Sequence, residues 1–203
     1  IRHDEYFDRE ELYSLPGGDY PDNLDRFVLF QKAVVRWIEE SGFRPDIVHC
    51  NDWQTALIPL YLRHGVDGAG RSGVERTVFT IHNLAYQGLF PPELFPVTDL
   101  PDACMHHETL EFYGRLNCMK GGLVGADRVT TVSRTYAREI TRPEFGCGLD
   151  GVLRTLGDRL DGIANGLDTD LWNPANDNEV AARFDVDDRS EERRVGKECA
   201  TGC

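Results

Sequence analysis

At 203 residues and 40% apolar composition, the chain carries enough hydrocarbon for the core of one domain, with room for an incomplete second. Acidic side chains outnumber basic ones 35 to 22, and the resulting formal charge of -13, with a pI near 4.8, argues against a phosphate-backbone partner. No apolar run reaches the roughly 20 residues that cross a bilayer, and Ile1–Glu11 lacks the basic-then-apolar layout of a signal peptide, so no membrane or export role is expected. The six cysteines, at 50, 104, 118, 147, 199 and 203, show no CxxC spacing and read as reduced, cytoplasmic usage. A zinc site from His49, Cys50, His106 and His107 lacks any recognised ligand spacing, so no metal is expected.

In chain order, Ile1–Asp22 is polar and aromatic, with Tyr6, Phe7, Tyr13 and Tyr20 among acidic residues, and is expected to be a loop turning at Pro16–Gly18. Leu24, Phe27, Val28, Val34, Trp37 and Ile38 recur at spacings of three and four. They predict a helix capped by Asp22 or Asn23 and ended by Ser41 and Gly42. Ile47 and Val48 read as a strand ending in His49, Asn51 and Asp52. Gln54–His64 reads as a helix, and Gly65–Gly73 as a glycine-rich turn. Val78, Phe79 and Ile81 predict a strand covered on both faces that ends abruptly in His82, Asn83, Tyr86 and Gln87. Four prolines between Leu89 and His106 predict an irregular loop, and Glu108–Gly125 a helix. A strand at Val129–Val132 leads through the cap-like Ser133 into a helix at Arg134–Glu139. Phe145–Gly151 is a glycine-rich link to a helix at Val152–Leu156, and Leu160–Ile163 is a last strand ending at Asn165 and Asp168.

Four strands therefore end in polar residues. Helical crossovers between them require parallel strands, so the polar ends emerge on one sheet edge, where such sheets bind ligands. A histidine one residue beyond a buried strand is well placed for chemistry, although the His and Asn could merely close a turn, since turns favour Asn in any case. The last fifteen residues differ in kind. Arg189–Cys199, RSEERRVGKEC, packs charges without apolar periodicity and resembles the conceptual translation of a sequencing-adapter oligonucleotide. Residues 189–203 are set outside the fold on that ground, with 1–188 as the natural portion.

The ordered segments HCNDWQTALIPLYLR, TVFTIHNLAYQGLFP, MKGGLVGADRVTTVSRTYAREI and IANGLDTDLWNPAND resemble bacterial glycogen synthases and plant starch synthases from about Tyr6 to Asn176. The resemblance implies an α/β fold, a Rossmann-like parallel sheet with flanking helices. It also implies that residues 1–188 are an incomplete N-terminal lobe of a two-lobe GT-B architecture, without its opening strand and without the second lobe. Members of the family transfer glucose from ADP-glucose, or UDP-glucose in some, to the non-reducing end of an α-1,4-glucan with retention. They use no cofactor beyond that donor substrate. A cytoplasmic location follows from a bacterial parent and a plastid from a plant one, and oligomeric state is left open. Because the second lobe supplies much of the nucleotide-sugar site, the resemblance implies that this chain alone is inactive.

Residue by residue, the resemblance places Asp52 at an acidic position contacting the sugar region, with Trp53 beside it as a sugar-stacking face or, equally, a helix-packing residue. His82 matches the histidine that meets the donor glucose, and Asn83, Tyr86 and Gln87 extend its loop toward the cleft. Asn165 matches an asparagine near the donor sugar, or is a turn former before Gly166. Phe7 matches an aromatic position near the active site that is sometimes tyrosine. Glucosyl transfer builds positive charge at the anomeric carbon and negative charge on the departing diphosphate. Asp52 is the one carboxylate that the sequence places in the cleft, and it is assigned orientation and electrostatics rather than nucleophilic attack.

Other chemistries fit poorly. A serine hydrolase lacks a GxSxG elbow, and a dinucleotide oxidoreductase lacks GxGxxG after a strand. A non-catalytic glucan-binding lobe is the alternative from a different class.

Overall fold

A computed structural model describes residues 2–66, 73–74, 76–180, 183–185 and 187. The 189–203 tail and most of the glycine-rich turn after His64 lie outside the described residues. The chain divides into two compact units, Ile1–Ala164 and Asn165–Cys203. In order, the first unit contains α1 (Asp4–Phe7), a hairpin of β1 (Ser14–Leu15) and β2 (Gly18–Asp19), α2 (Asn23–Glu40), β3 (Ile47–Asn51), α3 (Ile58–His64) and β4 (Arg76–Ile81). It continues with β5 (Leu89–Phe90), β6 (Glu111–Phe112), β7 (Arg115–Asn117), α4 (Cys118–Gly125), β8 (Arg128–Thr131), α5 (Arg134–Glu139), α6 (Asp150–Leu156) and β9 (Leu160–Gly162).

Strands β3, β4, β8 and β9 form one parallel sheet in that spatial order, with Asn51 opposite Thr80 and Ile81 opposite Thr131. Their carboxyl ends thus share one edge, as the helical crossovers require. Side chains alternate across the pleat. Cys50, Phe79, Ile81 and Val129 point into the core, where they meet α3 and α4. Helix α4 comes close because its packing face is glycine: a Cβ on Gly122 would stand 2.7 Å from Phe79 Cζ. Helix α2 locks onto the start of α3 through the buried Gln31. Its Nε2 donates to the Phe27 carbonyl, and its Oε1 accepts the Leu57 N–H at 2.7 Å, which satisfies a donor left over at a helix start.

The expected burial of β4 on both faces holds only in part: Thr80 is buried and Val78 half-buried on the second face. Val78 lies outside the core cluster on the face it shares with Ile47, which is 56% exposed. Among the described residues, that face carries a polar ladder instead: His49 Nε2 lies 2.7 Å from Thr80 Oγ1, and Thr80 Oγ1 lies 2.6 Å from Thr130 Oγ1.

The expected helix over Glu108–Gly125 is also corrected. Tyr113 (φ 48°) and Gly114 (φ 76°) turn left-handed, so residues 111–117 form the β6–β7 hairpin, β5 adds to β7, and the helix starts only at Cys118. Asn117 caps it, its side chain accepting the Lys120 N–H. Gln54–His64 is divided between a 3-10 turn at Trp53–Thr55 and α3, and the proline-rich segment contains 3-10 turns at Pro92–Thr98 and Asp102–Cys104. The start of α2 is capped differently from expectation: Asp22 makes no cap bond and instead pairs with Arg9 at 2.5 Å. Ser133 does cap α5, accepting the Tyr136 N–H. In the glycine-rich link, Gly146 is a close-approach glycine, since a Cβ there would meet Asp150 at 2.4 Å.

Candidate active site

At the end of β3 the backbone turns sharply. Asp52 adopts φ 53°, ψ -178°, a region that non-glycine residues rarely occupy and that costs of order 1–3 kcal/mol. Neighbouring bonds hold it there. The Asp52 N–H donates to the Thr80 carbonyl at 3.0 Å, the Asp52 carbonyl accepts from the Thr55 N–H, and the Thr55 hydroxyl closes back on the Asn51 backbone. The strained turn aims the carboxylate sideways along the sheet edge, where Asp52 Oδ1 accepts the backbone N–H of His82 at 2.8 Å. The ends of β3 and β4 are thereby latched together.

The His82 ring bends back over the same latch, with Nε2 3.0 Å from Asn51 Oδ1. With a carboxamide oxygen facing it, Nε2 acts as the donor, and Nδ1 is left for another partner. His82 and Asn83 are exposed and Asp52 is half-buried, so the second carboxylate oxygen and the imidazole face solvent beyond the strand ends. Asn83 shapes the loop that follows: its Oδ1 accepts the Ala85 N–H and its carbonyl the Tyr86 N–H. Tyr86 projects with 68% of its surface exposed.

The other residues singled out in the sequence occupy different surroundings. Gln87 is only 6% exposed, with its amide engaged at both ends: Nε2 donates to the Cys147 carbonyl and Oε1 accepts from Asn117 Nδ2. Its carbonyl takes the Met119 N–H, so Gln87 anchors the loop to the start of α4. Trp53 is 7% exposed and packs edge-on against Phe27 and Phe90, with ring centroids 4.9 and 5.6 Å away. Gly88 presses on its indole, so the packing role is the one its contacts display. Its remaining surface, with Tyr20, Asn23, Tyr86 and Gln87, lines a recess of about 220 Å³. Phe7 is half-buried in an aromatic collar around the buried Arg26 guanidinium, which also faces Tyr20 and Phe27. Arg26 in turn donates to the carbonyls of Tyr6 and Leu12, fastening the N-terminal segment to α2. Asn165 belongs to the second unit, where it is exposed. There Asp168 Oδ1 accepts the Asp170 and Leu171 N–H groups in a turn.

Three further residues organise this edge: Asn51, a polar strand end in the sequence, and Thr55 and Tyr136, which carry no isolated signal there. Asn51 holds the His82 ring, Thr55 clamps the Asp52 turn, and the Tyr136 hydroxyl accepts the Leu84 N–H at 3.2 Å. Asn51 was detectable as the register partner of Thr80 at a strand end; Tyr136, 52 residues from its partner, was not. Among the described residues no group of three or more His, Cys, Asp or Glu side chains is placed to hold a metal ion. Burial pushes the Cys50 and Cys118 thiols up to about 12, which leaves both as unreactive core residues.

Comparison with known proteins gives this edge a family context. The sequence profile of the starch synthase catalytic domain matches residues 1–155. Glycogen synthase 2 of Geobacter sulfurreducens is 53% identical over 184 residues, which are 91% of this chain and 38% of that protein. The glycogen synthase of Opitutus terrae is 48% identical over the same shares. The solved catalytic domain of starch synthase IV from Arabidopsis thaliana, bound to ADP and acarbose, superposes with a TM-score of 0.72 at 32% identity, covering 94% of this chain and 39% of that one. The chain thus spans less than two-fifths of the length of these relatives. With a matching profile over most of its length, relatives about half identical in sequence and a shared fold, the chain belongs to the starch synthase catalytic domain family of glycosyltransferases.

Proposed function

We propose that this chain is the acceptor-side lobe of an enzyme that moves glucose from ADP-glucose or UDP-glucose to the non-reducing end of an α-1,4-glucan with retention. The observation that carries the reading is the latch in which Asp52 holds the His82 backbone while Asn51 holds its ring. Family membership supports the reaction class, and the relatives' names support the glucan product. One Asp52 oxygen is committed to a backbone N–H, which favours a carboxylate that orients His82 and supplies negative potential near the anomeric carbon. In this reading His82 Nδ1 and the exposed Asn83 and Tyr86 face the sugar, Phe7 lies at its margin, and the diphosphate oxygen takes the acceptor's proton. Gln87 and Trp53 act from behind, as the supports of the Tyr86 loop.

The phosphates of the donor need cations that the latch does not contain, so the 203-residue chain alone is expected to lack synthase activity. A linear α-1,4 oligosaccharide should still bind it weakly, shifting amide resonances of residues 82–88 without turnover of ADP-glucose. Glucan extension by the pure chain would refute the inactivity, and oligosaccharide-induced shifts confined to other parts of the chain would refute the acceptor-side assignment.

A further inference from the structure

On the flank of the sheet away from the latch, α5, α6 and β9 line an open recess of about 620 Å³, within the size range of small-molecule sites. It shares no lining residue with the Asn51–Asp52–His82 edge, and β8 stands between β9 and β4. Four arginines line it, Arg134, Arg138, Arg142 and Arg154, with Asp161 the one carboxylate among the described lining residues and Asp150 paired with Arg154 at the rim. In a chain with 35 acidic and 22 basic side chains, that local excess of positive charge runs against the composition.

Among the described residues, one of these arginines is paired internally and three are not. Arg154 Nη1 donates to Asp150 Oδ2 at 2.6 Å and to the Thr141 carbonyl at 2.9 Å, which fixes its guanidinium at the rim. Among the described residues, the side chains of Arg134, Arg138 and Arg142 make no hydrogen bond or ion pair. Helix stability does not explain them either. Arg134 and Arg138 are like charges four residues apart, and Arg134 occupies the first turn of α5, the end that disfavours a cation. Arg138, Arg142 and Arg154 come from α5, the turn after it and α6, so the cluster depends on tertiary structure rather than on a charged run. Ala137, Leu153 and Leu160 supply apolar wall between the charges.

We infer that this recess binds a small anion carrying more than one phosphoryl group, with the α5 arginines forking onto its oxygens and Arg154 held ready by Asp150. Arginine suits that task because its planar donors match phosphate geometry and stay charged at any physiological pH. The site is separate from the proposed sugar-transfer edge, and its test does not depend on activity.

The test is calorimetric titration of the 203-residue chain with orthophosphate, pyrophosphate and tripolyphosphate at low and moderate salt. The expected result is affinity that rises with phosphoryl number, falls with salt, and weakens about tenfold or more in Arg138→Gln/Arg142→Gln, while Asp52→Asn leaves it unchanged. Helical circular dichroism of the double variant equal to that of the parent chain would show that the loss is not unfolding. Should the double variant fail to fold, Arg134→Gln alone, at the open first turn, is expected to weaken tripolyphosphate severalfold. Absence of pyrophosphate and tripolyphosphate binding, or binding indifferent to the arginine substitutions, would overturn the inference.

Discussion

At the scale of single residues, the Asp52 turn combines two opposed effects. Its left-handed backbone costs stability, and its carboxylate recovers part of that through the bond to the His82 N–H. Asp52→Ala keeps the strain and loses the bond, whereas Asp52→Gly loses both, so urea unfolding should find the alanine variant less stable than the glycine variant by about 1–2 kcal/mol. Equal stabilities would mean that the turn is unstrained. Cysteine reactivity is a second residue-scale test. Cys50, Cys104 and Cys118 are buried with thiols raised by burial, while Cys147 is exposed. Maleimide labelling of the folded chain followed by peptide mapping should mark Cys147 and spare those three; rapid labelling of Cys50 or Cys118 would contradict the packing of the core. His82 and Asp52 were legible as residues because each follows an apolar strand. Their mutual bond was not, because it depends on a backbone conformation that the sequence gives no reason to assign to an aspartate.

At the scale of elements, the boundary between α4 and the sheet is set by small residues and one carboxylate. Gly122→Ala forces a methyl into the Phe79 ring and should cost about 1–3 kcal/mol in thermal or urea unfolding, and a neutral result would show that α4 stands farther from β4. Beyond that helix, Asp127 accepts the Thr77 N–H at 2.8 Å and the Thr77 hydroxyl at 2.9 Å. Burial works to raise its pKa, yet the Thr77 bonds and the nearby Arg76 and Arg63 charges hold the carboxyl below its ordinary value. The stabilisation is therefore complete above the unfolded carboxylate pKa of about 4, and disappears as pH falls through the lower folded value. Asp127→Asn should accordingly destabilise more at pH 7 than at pH 3; a pH-independent loss would assign the effect to geometry alone. The parallel strands and α2 were legible from periodicity. The β6–β7 hairpin was not, because Leu110, Phe112, Leu116 and Met119 mimic helical spacing while the decisive signal is a Tyr-Gly pair turning left-handed.

At the scale of the whole molecule, the order of crossovers dictated a parallel sheet, and the parallel sheet dictated that polar strand ends gather on one edge. That logic placed His82 beside Asp52 from residues 30 positions apart. It did not distinguish the residues that face outward from those that brace them. Gln87 and Trp53 occur in the same polar and aromatic stretches as Tyr86, and only burial separates support from surface. The arginine recess was equally hidden, since its members are spread over residues 134–154 and come together around one recess only in the folded chain.

The central claim is that the latched His82–Asp52 edge serves glucosyl transfer. The most direct measurement replaces the matching segment of Geobacter sulfurreducens glycogen synthase 2 with residues 6–176 of this chain and follows glucose incorporation from ADP-glucose into an α-1,4-glucan. Relative to the active unsubstituted chimera, His82→Ala and Asp52→Asn should each lower kcat by about a hundredfold or more, with little change in melting temperature. Turnover within about twofold of the unsubstituted chimera in either variant would contradict the account.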